Sequence, residues 1–454
     1  MTRMKPIAAA LSAIGMIALA SPAYAGEVEE LKATMKKMME RIEQLEAQQK
    51  SQAAALKSAP ATTAGAAPVA IPANVVTAGT LPNSIKIPGT DTSLRVYGYA
   101  QLDGVYDLKG SIPARNTGAG NTYGQNNYDW ASNVAVQPLN RNQNGVQGKN
   151  QFYSTMKTSR LGLETSTPID GQNLTVKLEG DFNAPNAYQG EGISNSILFR
   201  LRHAYGEYGN FLVGQTWSNF LDLGSFADTV DFNGPGAVPM IRQPQLRYTI
   251  PVGASSKLAL SVENPQSGET DRRPDVTANF TTNFTNGHLS LRAVTLDYKN
   301  STYGSKQGWG LGAGGSYKLT GNDTLVAQIN GGKGIGRYML NSYTQSDSTA
   351  GSQYNLWTAV GGHVGYTHAW NEKTRSNLIM AYTKFSGTSA MEAPGTGSDS
   401  DPNKHIKEIS VNTFWRPMKN TELGLEYAWG QRETFAGDKG TQSRVNATAR
   451  FTLF

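Results

Sequence analysis

Titratable residues set the range of chemistry open to this chain, and most of that chemistry fails on spacing. The five histidines are His203, His288, His363, His368 and His405, and cysteine is absent. His363 and His368 lie five apart, so on a strand they point to opposite faces and make a poor metal pair. Without a thiol, neither a disulfide framework nor a cysteine-ligated metal is open to the chain. Gly331-Gly332-Lys333-Gly334-Ile335-Gly336 is rich in glycine like a phosphate loop. It lacks the Walker spacing and a following helix, and reads as a turn. Asp/His pairs in loops could build a hydrolase on a barrel, but no local spacing supports one. No enzyme, cofactor or metal is expected.

What survives is a set of cations at one strand parity. Arg95, Arg160, Lys177, Arg200, Arg202, Arg247 and Arg292 fall on the polar faces of alternating segments, most of them early in the series. Closed into a barrel, those segments would turn the cations into a basic arc on the inner wall. Charged rings in pores set ion preference, with Arg and Lys selecting anions. Arginine also grips planar carboxylates through two parallel hydrogen bonds, which favours dicarboxylates over chloride. The bland alternative pairs the same arginines with Glu164, Glu179, Asp181 and Asp103 as wall packing; for the arc as a whole the functional reading is preferred. A long link, 218–243, adds Asp222, Asp228 and Asp231, the turn Gly234-Pro235-Gly236, and Arg242. Folded inward, it would narrow the pore and set acids against the basic arc. Gly308, Gly310, Gly312 and Gly314 share one face and could give such a loop room, or only ease the coiling of the sheet.

The elements that must position these residues begin after an export segment. Arg3 and Lys5, the apolar stretch Ile7–Ala20 and Ala23-Tyr24-Ala25 make residues 1–25 a secretory signal. Val28, Leu31, Met35, Met38, Ile42, Leu45, Gln49, Gln52 and Leu56 then alternate at spacings of three and four. Such heptads expose an apolar stripe on a lone helix, so 26–57 is expected to self-associate as a coiled coil rather than pack on its own chain. Residues 58–84 form an Ala/Pro-rich linker.

From 85 to 454 the sequence alternates sixteen amphipathic runs with turn signals, from 94–106 to 443–454. Short links alternate with long ones at about 107–150, 184–196, 218–243, 265–273, 299–306, 332–353, 386–405 and 431–442. In 420–430, Leu423, Leu425, Tyr427 and Trp429 oppose Glu422, Gly424 and Glu426; in 197–208, Ile197, Phe199, Leu201 and Tyr205 oppose Arg200 and Arg202. Aromatics gather near the short turns: Tyr208, Phe211, Tyr248, Phe280, Phe284, Tyr317, Trp370 and Trp415. These features predict an all-β transmembrane barrel of about sixteen antiparallel strands, with short periplasmic turns and long external loops.

Composition agrees. The 454 residues are 17% charged and 38% hydrophobic with 49 glycines, a balance unlike that of a helix-rich soluble fold. Removing Arg3 and Lys5 from 41 basic residues leaves 39 against 35 acidic, too mild for a nucleic-acid binder. After the signal no apolar run reaches the ~18 residues of a membrane helix.

Longer motifs carry a resemblance. They are the heptad start, Ile87-Pro88-Gly89-Thr90, Arg95-Val96-Tyr97-Gly98-Tyr99-Ala100-Gln101-Leu102-Asp103 and Val213-Gly214-Gln215-Thr216-Trp217. Asp231-Phe232-Asn233-Gly234-Pro235-Gly236, Arg242-Gln243-Pro244-Gln245-Leu246-Arg247-Tyr248 and the terminal Phe454 complete the set. Over essentially the whole mature chain the sequence resembles the DcaP-like family of trimeric outer-membrane porins. The resemblance implies a homotrimer in the outer membrane of a Gram-negative bacterium, with the coiled coil in the periplasm. It further implies contact with outer-membrane lipid and lipopolysaccharide, and passive uptake leaning toward small anionic solutes such as dicarboxylates. One departure is that Phe454 shares parity with Thr452 and Arg450, not with Phe451 and Leu453. The competing function is a surface adhesin or structural barrel without transport, which would show no conductance.

Overall fold

The computed structural model describes residues 76–110, 134–137, 139, 150–184, 198–265, 273–340, 345–350, 352–395 and 401–453, with Lys36, Lys37, Glu40, Gln44 and Ala47. Those five are α-helical and exposed, and none of them is among the nine positions of the apolar stripe. The signal, the apolar seam of 26–57 and most of the linker lie outside the described residues, as does Phe454. No described helix is long and apolar enough to cross a membrane.

Residues 73–454 form one unit. Its strands are β1 (Thr77–Ala78), β2 (Ile85–Lys86), β3 (Ser93–Lys109), β4 (Gln151–Thr155), β5 (Arg160–Ile169), β6 (Gln172–Asp181), β7 (Arg200–Tyr208) and β8 (Phe211–Trp217). β9 (Arg242–Val252), β10 (Ser256–Glu263), β11 (Asp275–Phe284), β12 (Gly287–Asn300), β13 (Gly304–Lys318) and β14 (Thr324–Lys333) follow. β15 (Asp347–Ala350) and β16 (Gln353–Leu356) make a separate hairpin before β17 (Thr358–Asn371), β18 (Thr374–Ser386), β19 (Asn403–Met418), β20 (Thr421–Thr434) and β21 (Lys439–Thr452). β4 and β5 share one track beside β3, and β21 pairs back onto β3. The result is a closed antiparallel barrel of sixteen tracks, with the short β1–β2 pair extending from the start of β3. Closure gives each of the sixteen tracks a neighbour on both sides, as a hydrocarbon setting requires.

Burial is inverted relative to a soluble sandwich. Leu425 and Tyr427 on β20 are 59% and 45% exposed, while Glu426 between them is 1% exposed. The same alternation runs around the sheet, so the wall shows an apolar face to its surroundings and a polar face to its interior. Near the short turns the tilted rings of Phe211 and Tyr248 pack with centroids 4.6 Å apart, and Trp370 and Trp415 stand 64% and 50% exposed. The aromatic girdle expected from the sequence is therefore on the outer surface.

Three expectations need correction. The links at 299–306 and 431–442 are not long: β12 runs to Asn300 and β13 starts at Gly304, while β20 and β21 are separated only by 435–438. Gly304 and Gly437, at φ +83° and +86°, supply the left-handed positions such tight turns require. The linker also ends earlier than 84, because Thr77 and Ala78 pair with Lys86 and Ile85. Finally, Tyr205 is not on the outer face. The register shifts between Glu179 and Gly180, so Arg202 is an extra residue on β7 and every position after it changes side. His203, Tyr205 and Glu207 consequently point inward and line a cavity.

Candidate pore constriction

The link between Trp217 and Arg242 folds into the barrel and is held there largely by its own backbone. Asn219 N–H donates to Glu263 at 2.9 Å, and the amides of Val230 and Asp231 both donate to the Glu426 carboxylate at 3.0 Å. Gly236 N–H donates to Glu408 Oε2 at 2.6 Å. Wall carboxylates thus satisfy loop amides that water would otherwise have to reach. Side chains finish the fastening. Arg292 Nη1 donates to Phe220 O at 2.9 Å, Asn330 Nδ2 to Ala237 O at 2.9 Å, and Asn412 Nδ2 to Asp228 O at 2.8 Å. His363 Nε2 lies 2.9 Å from Ser225 O. Arg375 reaches Asp228 at 2.5 Å, and Arg444, fully buried, sits between Asp107 at 2.9 Å and Asp231 at 3.8 Å.

Close approach depends on small residues. A Cβ at Gly314 would stand 2.8 Å from Ser225 Oγ, and one at Gly365 would stand 2.6 Å from Ala227 Cβ. Gly310 is likewise filled by Ile335 and Phe220. At Gly310 and Gly314 the reading that these glycines seat the loop is the right one. Gly308 and Gly312 instead meet their own wall neighbours.

The loop therefore touches ten successive tracks, β10 to β14 and β17 to β21, and leaves the six from β3 to β9 open. That open wall carries most of the cations read from the sequence, while Arg375, Arg432, Arg444 and Arg450 stand on the tracks the loop touches. Arg95 pairs with Glu164 and stacks over Tyr97. Arg160 lies 3.5 Å from Glu179 and over Tyr99. Arg200 grips Asp181 with two bonds, Nε to Oδ1 at 2.9 Å and Nη2 to Oδ2 at 2.7 Å. Arg202 bridges Glu179 and Asp181 at 2.9 and 2.8 Å. Arg242 lies 4.3 Å above the Trp217 ring. Lys177 stacks on Tyr97, and Arg247 donates to Gln245 Oε1 and Trp217 O; neither forms an ion pair with a described residue. Both open onto a cavity of about 780 Å³ beneath the loop, on the short-turn side, which Lys257 also lines.

Two groupings made from sequence separate here. Arg292 is 3% exposed beneath the loop, where it holds Phe220 O rather than lining the open lumen. The loop acids do not form a row facing the arginines. Asp222 is bound by Ser290 Oγ at 2.7 Å and His288 Nε2 at 3.0 Å, and Asp231 is buried. Burial works to raise the Asp222 carboxyl, but the bonds from Ser290 and His288 prevail and hold it below the usual carboxylate range. Only Asp228 keeps substantial exposure, at 46% of its side chain. Sequence reasoning missed the anchors Glu263, Glu408, Glu426 and Arg375. Parity placed Glu426 inside, but no sequence signal links it to Val230.

Comparison with known proteins agrees with this architecture. A family model described as DcaP outer membrane protein matches residues 75–453. Among solved structures the chain is similar to the outer membrane channel DcaP of Acinetobacter baumannii, at 25% identity and a TM-score of 0.67, covering 83% of this chain and 100% of that one. The anion-selective porin from Comamonas acidovorans aligns at 14% identity and a TM-score of 0.50, over 80% of this chain and 100% of its own. Salmonella typhi OmpF aligns at 14% and 0.52, over 79% and 98%. At those identities the last two likenesses are of fold alone. No curated protein matches the sequence. The family match runs across the whole closed sheet and its inserted loop, and the chain belongs to the DcaP outer membrane protein family.

Proposed function

We propose that the barrel is a passive channel for small hydrophilic solutes with a preference for anions, dicarboxylates among them. The observation that carries this reading is the division of the inner wall: the loop covers ten tracks, and the six left open hold Arg95, Arg160, Lys177, Arg200, Arg202, Arg242 and Arg247. Against these seven cations the same wall sets six carboxylates, Asp103, Asp107, Glu164, Glu179, Asp181 and Glu207, and one of the six, Asp107, is neutralised by Arg444 from β21. The excess is positive, so the passage attracts anions and repels cations. Lys177 and Arg247, without ion-pair partners among the described residues, keep bonding capacity for a carboxylate in transit. Binding must stay weak enough for release. A homotrimer joined by a periplasmic coiled coil over 26–57 belongs to the same reading, supported by the heptad stripe.

The test is the reversal potential of purified protein in planar bilayers under a salt gradient. An anion-to-cation permeability ratio above one is expected. A ratio at or below one would remove the anion preference, and folded protein without conductance would leave a surface adhesin or structural barrel instead.

A further inference from the structure

We infer that the outer, lipid-facing surface of β18–β21 carries a binding site for the phosphate groups of an acylated glycolipid of the outer leaflet. Four lysines, Lys384, Lys404, Lys407 and Lys439, are exposed at the long-loop end of these strands. Three of them lie on or beside one cross-strand row: Lys384 is opposite His405, His405 opposite Glu433, and Glu433 opposite Lys439. Lys404 occupies the register shift just before His405, and Lys407 lies opposite Tyr382 one outward step nearer the membrane. The row points outward, because Thr383 and Phe385 on β18 and Arg432 and Thr434 on β20 are buried.

Charge and height select the partner. Glu433 is the one carboxylate in the row, shared by His405 at 3.3 Å and Lys439 at 3.6 Å. Lys384, Lys404 and Lys407 form no ion pair with any described residue. Uncompensated ammonium groups clustered on a membrane-facing surface attract anionic lipid headgroups. Directly below them run exposed Tyr382, Met380, Val411 and Tyr427, a surface for acyl chains. His405 precedes Trp415, in the opposite girdle, by ten residues on β19. Ten residues at ~3.3 Å, tilted by ~40°, rise about 25 Å, the height of the apolar band of an outer-membrane barrel. The lysines therefore stand at the level of the headgroups on the long-loop side. A soluble anion would use the charges alone; a lipid uses the charges and the apolar strip together.

The site rests on the outer-membrane setting and is independent of the proposed anion preference. Delipidated protein in detergent is titrated with bis-phosphorylated lipid A and read by native mass spectrometry. Changing all four lysines to glutamine is expected to weaken binding by about a hundredfold or more, since each of four surface cations is worth roughly fivefold. The fourfold arginine variant, which keeps the charge, should bind within about twofold of the parent. Glu433→Gln should bind more tightly. Anion-to-cation permeability should be unchanged in the glutamine variant, since its substitutions lie outside the lumen. Lipid A bound equally by the glutamine variant would overturn the site. So would equal binding of dephosphorylated lipid A, or full displacement of the lipid by inorganic phosphate.

Discussion

Arg375 on β18 donates to one oxygen of Asp228 through both Nε, at 2.8 Å, and Nη2, at 2.5 Å, and so ties the middle of the inserted loop to the far wall. Its third nitrogen holds Glu422 at 2.9 Å, which also accepts from Arg416 at 2.7 Å. Removing Arg375 therefore releases the loop without stranding Glu422. In Arg375→Gln the loss should be about 1 kcal/mol, because Asp228 is half exposed and solvent screens the pair. Noisier current, higher conductance and faster proteolysis within 226–236 are expected from an otherwise intact barrel. A variant with unchanged noise and cleavage would show that the backbone bonds to Glu408 and Glu426 suffice.

Gly314 seats the first turn of the loop, where a side chain would meet Ser225 and Asp222. Gly314→Ala should push that turn toward the lumen and lower single-channel conductance, at an overpacking cost of about 1–3 kcal/mol. Gly331, whose Cβ would meet Val360 on the outer face, is the control. Equal conductance in Gly314→Ala and Gly331→Ala would mean that the loop does not depend on this seat.

The barrel was legible because parity and turn signals are local. Leu425 out and Glu426 in follow from a period of two, and the short turns punctuate it. The side of Tyr205 was not legible, since one extra residue at Arg202 reverses everything after it and nothing in the sequence marks a bulge there. The basic arc was visible as a set of residue types. Its pairing was open, and the structure pairs Arg95, Arg160, Arg200 and Arg202 while leaving Lys177 and Arg247 to the cavity. The path of the loop was hidden for a different reason: Glu426 lies 196 positions from Val230, and backbone amides carry no sequence signature.

Deletion of 27–57 should loosen the proposed trimer while leaving each barrel folded, because the closed sheet satisfies its own backbone. Native mass measurement of the intact and shortened proteins decides this. A monomeric intact protein would sink the trimer. An equally stable shortened trimer would assign assembly to the barrels alone.

The Asp222 anchor gives the loop an acid sensitivity of definite sign. Its carboxyl is held below its ordinary value of 3.8, so the anchoring is fully present above that pH and lost as pH falls through the lower folded value. Conductance should be steady from pH 7 to about 5 and rise only below about 4. Asp222→Asn should show the loosened behaviour already at neutral pH. A transition centred near 6 would point to histidine instead.

Selectivity offers the sharpest division, because the cations differ in what already holds them. Arg200 and Arg202 spend four nitrogens on Asp181 and Glu179, whereas Lys177 and Arg247 face the cavity with no acid partner among the described residues. Each double neutralisation removes the same charge, so both should lower the anion-to-cation permeability ratio. Their other consequences diverge. Lys177→Gln with Arg247→Gln should leave stability nearly unchanged and weaken blocking of the current by dicarboxylates several-fold. Arg200→Gln with Arg202→Gln strands Asp181 at 0% exposure, while Glu179 keeps Arg160 and the Tyr97 hydroxyl, a loss of about 3–5 kcal/mol for the broken buried pair. That protein should unfold at lower temperature while dicarboxylate block changes little. Block abolished by the second pair and kept by the first would move the solute's contact from the cavity to the paired arginines.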